Sequence, residues 1–134
     1  MKPLAGQVVL ALDDMALRPL CRYLASLGAE IRQVAPDATS VAAADFLVDA
    51  SGLERLADRG LDRARLEAWN PRLIHVSVTP FGSGGPRSRW RGGELVAAAM
   101  GGVLRLTGEP DRAPVKEALD ACGFHAEMAA AAGA

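Results

Sequence analysis

Gln7-Val8-Val9-Leu10-Ala11-Leu12 is apolar from Val8 onward, with no polar residue alternating through it. A strand with one wet face alternates, whereas a strand covered on both faces does not, so this run reads as a buried strand of a parallel sheet. Outward from it, Ala16 to Leu27 carries Leu17, Leu20, Cys21, Leu24 and Leu27 at helical spacing, which predicts one apolar stripe. Asp13-Asp14 ends the strand and suits the cap of that helix. Gly28 stands where a helix ends in a left-handed residue. Glu30-Ile31-Arg32-Gln33-Val34 then reads as a second strand closed by Pro36. Strand, helix and strand in succession set the fold class: α/β, a Rossmann-like open parallel sheet with helices on both faces.

The rest of the chain continues the alternation. Asp37 to Ala44 reads as a loop or short turn of helix, and Asp45-Phe46-Leu47-Val48-Asp49 as a third strand. Leu53 to Asp58 and Asp62 to Trp69 are short helical pieces parted by Gly60, with Asp62 as N-cap and Asn70-Pro71 as the stop. Leu73-Ile74-His75-Val76-Ser77-Val78-Thr79 has β-branched residues at alternate positions and predicts a fourth strand. After it come the breaker-rich loop Pro80 to Pro86, a helix over Glu94 to Met100 stopped by Gly101-Gly102, and a turn over Thr107 to Asp111. From Asp120 an alanine-rich helix runs to the end. No repeat divides the chain, so residues 1–134 read as one domain.

Composition excludes several function classes. The chain has 134 residues, 15 basic and 16 acidic side chains and a net charge of -1. That balance argues against a nucleic-acid partner held by phosphate neutralisation. No apolar run approaches the roughly 20 residues that span a bilayer, and Met1 to Gly6 has no signal-peptide core. Cys21 and Cys122 lie far apart, with no metal-ligand spacing and no disulfide framework. The expectation is a cytoplasmic protein without a metal, a membrane or a nucleic-acid partner.

The first strand–helix junction, Leu12-Asp13-Asp14-Met15-Ala16, contains no glycine. A backbone that approaches a pyrophosphate needs glycines there, so a nicotinamide or flavin site is not expected. The loop Phe81-Gly82-Ser83-Gly84-Gly85 follows a strand, where ligands bind in open α/β sheets. Its freed N–H groups suit an anion, and Arg87, Arg89 and Arg91 follow with charge suited to phosphate. A flexible connection with a solvated arginine run accounts for the same residues and, on spacing alone, is the favoured reading. His75, in a strand, and His125, on the terminal helix, have no partner nearby in sequence, so packing is the simpler account of His75.

Taken in order, several phrases resemble the family III CoA-transferases, the CaiB/BaiF or carnitine dehydratase group. They are Pro3-Leu4-Ala5-Gly6, Leu27-Gly28-Ala29-Glu30-Ile31 and Asn70-Pro71-Arg72-Leu73-Ile74-His75-Val76-Ser77. Phe81-Gly82, Gly85-Pro86, Glu94 to Gly102, Leu106-Thr107-Gly108-Glu109-Pro110 and Pro114-Val115-Lys116 continue the series. The resemblance implies part of a CoA-binding, Rossmann-like large domain, with CoA or acyl-CoA as a ligand that is not covalently bound. It implies an enzyme moving CoA between carboxylic acids through an aspartate that attacks the thioester. Phe81, Gly82, Gly84, Gly85, Arg87 and Arg89 are the candidate CoA contacts. A homodimer, or a pairing with a partner CoA-transferase subunit, is the implied assembly, with Phe124, Met128 and the neighbouring alanines buried in it.

The departures bear on activity. Counting on from Pro114-Val115-Lys116 without a gap, the family's aspartate falls on Gly123. Asp120 and Glu127 are the nearest carboxylates, about one helical turn or roughly 5 Å away, whereas attack geometry tolerates about 1 Å. The strand and helix that the family carries between Val34 and Asp45 are reduced to a short bridge. The family's Glu-Asn-Phe-Arg-Pro-Gly loop is replaced by Asp49-Ala50-Ser51-Gly52. Three readings remain open: a non-catalytic or partner-dependent domain, an interaction module that has lost CoA binding, and an active transferase using a displaced carboxylate, Asp120.

Overall fold

The computed structural model describes residues 2–12, 17–117 and 119–134. Four strands form one sheet: β1 (Val8–Ala11), β2 (Glu30–Arg32), β3 (Phe46–Asp49) and β4 (Ile74–Ser77). Every pairing is parallel and the spatial order is β2-β1-β3-β4. Between the strands lie α1 (Arg18–Ser26), α2 (Ala38–Ala42), α3 (Leu53–Asp58) and α4 (Arg63–Trp69). After β4 come α5 (Glu94–Met100), α6 (Val103–Leu106) and α7 (Ala121–Gly133). The chain runs from β1 to β2 on one side and returns across β1 to β3 on the other. This reversal opens a crevice at the carboxyl ends of β1 and β3, the place where open α/β sheets hold ligands.

The unalternating β1 run is buried on both faces, as its composition predicts. Val9 and Ala11 pack with Leu17, Leu20, Cys21 and Leu24 of the α1 region. Leu10 and Leu12 pack on the opposite face with Val41, Leu47, Leu56 and Leu66. Each fully buried leucine contributes roughly 1.5–3 kcal/mol. Helices therefore cover both faces, and the sheet is the α/β sheet expected.

Local chemistry sets the ends of the helices. Gly28 adopts φ +106, its N–H reaches the Ala25 carbonyl and the Ala29 N–H reaches that of Leu24. This is the paired bonding that ends a helix at a left-handed residue. Asp62 caps α4 by accepting the Arg65 N–H at 3.0 Å. The segment read as loop or turn forms α2, because Asp37 and Ser40 exchange reciprocal capping bonds of 2.7 and 2.9 Å. Leu104-Arg105-Leu106 lies in α6, which starts after Gly102 at φ +83. The cap expected of Asp13-Asp14 lies outside the described residues.

Candidate functional site

The crevice at the carboxyl ends of the strands holds a cavity of about 540 Å3, within the usual range for small-molecule sites. Its floor includes Val78 and Thr79 beyond β4, and one wall is the first turns of α7 with Gly123. Arg55 of α3, together with Trp90 and Arg91 of the loop before α5, lines another side. Neither Arg55 nor Arg91 meets a carboxylate among the described residues. Two exposed guanidiniums lining one cavity, with no salt bridge to a carboxylate among the described residues, suit a ligand that carries anionic oxygens.

Two glutamates line the same cavity, and each is committed to a helix end. Glu94 accepts the Cys122 N–H at 2.7 Å and the Gly123 N–H at 3.0 Å, so one carboxylate closes the start of α7. Burial works to raise the Glu94 carboxyl, but those two N–H bonds, with the Cys122 thiol and the Lys116 charge, together outweigh it and hold it below the usual range. The same carboxylate, after burial, pushes the Cys122 thiol up and keeps it protonated. Glu127 is 5% exposed and accepts the Leu20 N–H at 2.8 Å, capping α1, which has no side-chain cap of its own. Burial pushes the Glu127 carboxyl up, opposed only by that one bond.

Gly123 sits in the cavity wall, its N–H taken by Glu94. A Cβ built there would meet Glu94 Oε2 at 3.5 Å, an ordinary contact, so the position has room for a side chain it does not carry. Asp120 precedes α7, makes no capping bond, and lies 3.4 Å from Lys116 with its side chain 83% exposed. It is not part of the cavity wall.

The loop after β4 divides its residues between different tasks. Phe81 meets the Trp90 ring edge-on at 5.9 Å, and the Arg87 guanidinium lies 5.3 Å above the same indole. Arg89 pairs with Glu54 of α3, which also accepts the Ser88 hydroxyl. Gly82 and Gly85 have φ of +78 and +98 and, like Gly84, are exposed. Of this stretch, Trp90 and Arg91 line the cavity, whereas Phe81, Arg87 and Arg89 stand behind or beside them. The part played by Arg55 was not visible in the sequence, because it is brought in from α3 by the packing of that helix on the sheet.

His75 has a partner that sequence proximity hid. Its Nε2 lies 2.7 Å from Asp49 Oδ2 across the β3–β4 pairing. Asp49 is fully buried, and its Oδ1 accepts the N–H groups of Ser51 (2.8 Å) and Gly52 (2.7 Å) and the Ser51 hydroxyl (3.0 Å). Burial alone would raise this carboxyl, but the bonds from His75, Gly52 and Ser51 prevail and keep it low. The replaced loop Asp49-Ala50-Ser51-Gly52 is thus a tight turn wound on one carboxylate. His125, exposed on α7, makes a tilted ring contact with Phe124.

Comparison with known proteins gives a consistent result. The family model described as CoA-transferase family III matches residues 38–134. The succinate–glutarate CoA-transferase of Agrobacterium fabrum is 38% identical over 76 residues, covering 57% of this chain and 19% of that protein. The succinyl-CoA:(R)-benzylsuccinate CoA-transferase subunit BbsE of Thauera aromatica is 38% identical over 84 residues, covering 60% of this chain and 20% of that one. A CaiB/BaiF family protein from Brucella suis has a crystal structure that superposes with a TM-score of 0.79 at 27% identity, over 98% of this chain and 48% of that one. A hypothetical protein from Mycobacterium tuberculosis shares the fold, with a TM-score of 0.82 at 23% identity. The chain thus spans 48% of the Brucella suis structure, and its matched stretch is 19% of the Agrobacterium fabrum protein.

Proposed function

This chain belongs to CoA-transferase family III, and from that membership we propose that it is a CoA-binding domain serving an enzyme that moves CoA between carboxylic acids, without a nucleophile of its own. The observation that carries this reading is Gly123, a glycine in the wall of a cavity also lined by two guanidiniums, Arg55 and Arg91, that pair with no carboxylate among the described residues. A site that acylates itself needs a carboxylate at the reacting carbon, and Glu94 and Glu127 are each bonded to a helix end. On this reading Arg55 and Arg91 hold phosphate oxygens of CoA and Trp90 offers its indole to the adenine. Phe81 and Arg87 brace Trp90, and Arg89 fixes the loop to α3 through Glu54.

The missing carboxylate would then come from elsewhere in the assembly, either a second copy or a partner CoA-transferase subunit. One relative is itself named as a subunit, which fits a division of labour between chains. Calorimetric titration with CoA tests the reading. Saturable binding in the micromolar range is expected, weakened at least tenfold and with a flatter salt dependence in the Arg55→Ala, Arg91→Ala double variant. No heat with CoA, or unchanged affinity in the double variant, would overturn it.

A further inference from the structure

The two glutamates in the cavity wall differ in how their charge is met. Glu94 gives both oxygens to the start of α7, at the Cys122 and Gly123 N–H groups, and the Lys116 charge acts on it as well. Glu127 has a single N–H, that of Leu20, on Oε2 at 2.8 Å. No lysine, arginine or histidine pairs with it among the described residues. Its other oxygen, Oε1, has no partner among the described residues, yet it is not one of the buried atoms closed off from solvent. Glu127 lines the cavity, so Oε1 is the polar atom that it offers there.

Position gives this carboxyl its consequence. Glu127 follows Gly123 by four residues, so the two share one face of α7, about 6 Å apart along the helix axis. Leu17, before α1, and Ala126 add apolar lining. The cations Arg55 and Arg91 line another side, and neither acts on the Glu127 carboxyl. Only burial, which pushes that carboxyl up, and the opposing Leu20 bond do so. The cavity thus has one side that suits phosphate and one where a buried carboxyl stands without a cation.

We propose that Glu127 makes this site selective for CoA thioesters whose acyl group is uncharged, over those whose acyl group ends in a second carboxylate. The inference rests on the reading that CoA occupies this cavity with its phosphates on Arg55 and Arg91, and it adds the character of the acyl group. CoA is anionic at one end and carries its acyl group at the other. Phosphates on the arginine side therefore leave the acyl group to the α7 wall. Burial already disfavours one negative charge at Glu127. A ligand carboxylate brought beside Oε1 would set two like charges together, away from water and with no cation to neutralise either. An uncharged chain adds no charge there and meets Leu17 and Ala126. Glu94 does not impose the same exclusion, because both of its oxygens are turned to N–H groups of α7. Selectivity of this kind comes from the repulsive element rather than from a new attraction.

Butyryl-CoA and succinyl-CoA test the inference. Their four-carbon acyl groups differ at the far end, a methyl group in one and a carboxylate in the other. In calorimetric titrations at constant ionic strength, wild-type protein is expected to bind butyryl-CoA about tenfold more tightly than succinyl-CoA. Glu127→Gln keeps an oxygen for the Leu20 N–H, removes the charge, and is expected to bring the two affinities within about threefold of each other. CoA alone is the reference. Wild-type protein that binds CoA but takes succinyl-CoA as tightly as butyryl-CoA overturns the selectivity and leaves the CoA reading standing. Protein that gives no heat with CoA or with either thioester overturns both. A Glu127→Gln variant that is folded by circular dichroism and keeps the wild-type ratio overturns the assignment to Glu127.

Discussion

Glu127 concentrates more constraint than any other residue of α7. It is the buried residue of that helix, its carboxyl is pushed up by burial, and its one described bond goes to the start of α1. The folded pKa lies above the unfolded value near 4.5, so the folded state holds the proton more tightly. Stability from this group is therefore present at low pH and declines as pH rises through the interval above 4.5. Glu127→Gln keeps an oxygen for the Leu20 N–H and removes the charge. Its thermal midpoint is expected above that of wild type at pH 7 and level with it at pH 4; a lower midpoint at pH 7 would show that the charge itself is needed. The sequence marks Glu127 only as a carboxylate near position 123. Its capping role spans 107 residues, and no local pattern encodes a contact of that separation.

Among the elements, α2 is the shortest to have a self-contained explanation. Asp37 accepts the Ser40 N–H at 2.7 Å and Ser40 returns the bond to the Asp37 N–H at 2.9 Å. A helix over Ala38–Ala42 otherwise has little to nucleate it, since fixing a first turn is costly. Asp37→Ala is expected to lower the urea midpoint, with an unchanged m-value. An unchanged midpoint would mean that the packing of Val41 alone holds the segment. The four strands, α1, α4 and the left-handed Gly28 were legible because each is written locally, as an apolar run, a stripe, a cap or a stop. The helix α6 was not, because Leu104-Arg105-Leu106 has no cap and no periodicity to distinguish it from a short extended piece.

For the whole molecule, the unexplained feature is the apolar surface formed after β4. Leu95, Met100, Leu106, Leu119 and Phe124 are exposed, Leu106 by 87% and Leu119 by 78%. One large exposed hydrophobe is ordinary, whereas several on successive elements would mark an interface if they form one contiguous patch. We expect a dimer in solution that buries this surface, read as twice the chain mass by light scattering at micromolar concentration. Phe124→Glu is expected to return the monomer; a wild-type monomer would show that the surface is covered by something other than a second copy. No described helix is long and apolar enough to cross a membrane.

The sequence by itself determined the parallel α/β sheet, the glycine at position 123 and the family. These depend on residue type, periodicity and the order of phrases, which are properties of the chain alone. Tertiary structure decided which arginines line the cavity and which are paired among the described residues. Of the arginines, Arg55 and Arg91 face the cavity while Arg89 is taken by Glu54, and spacing along the chain does not reveal a counter-ion brought from another helix. It also turned an apparently solitary His75 into half of a buried pair. Parallel strands place residues far apart in sequence side by side, and Asp49 meets His75 only because β3 and β4 lie in that register.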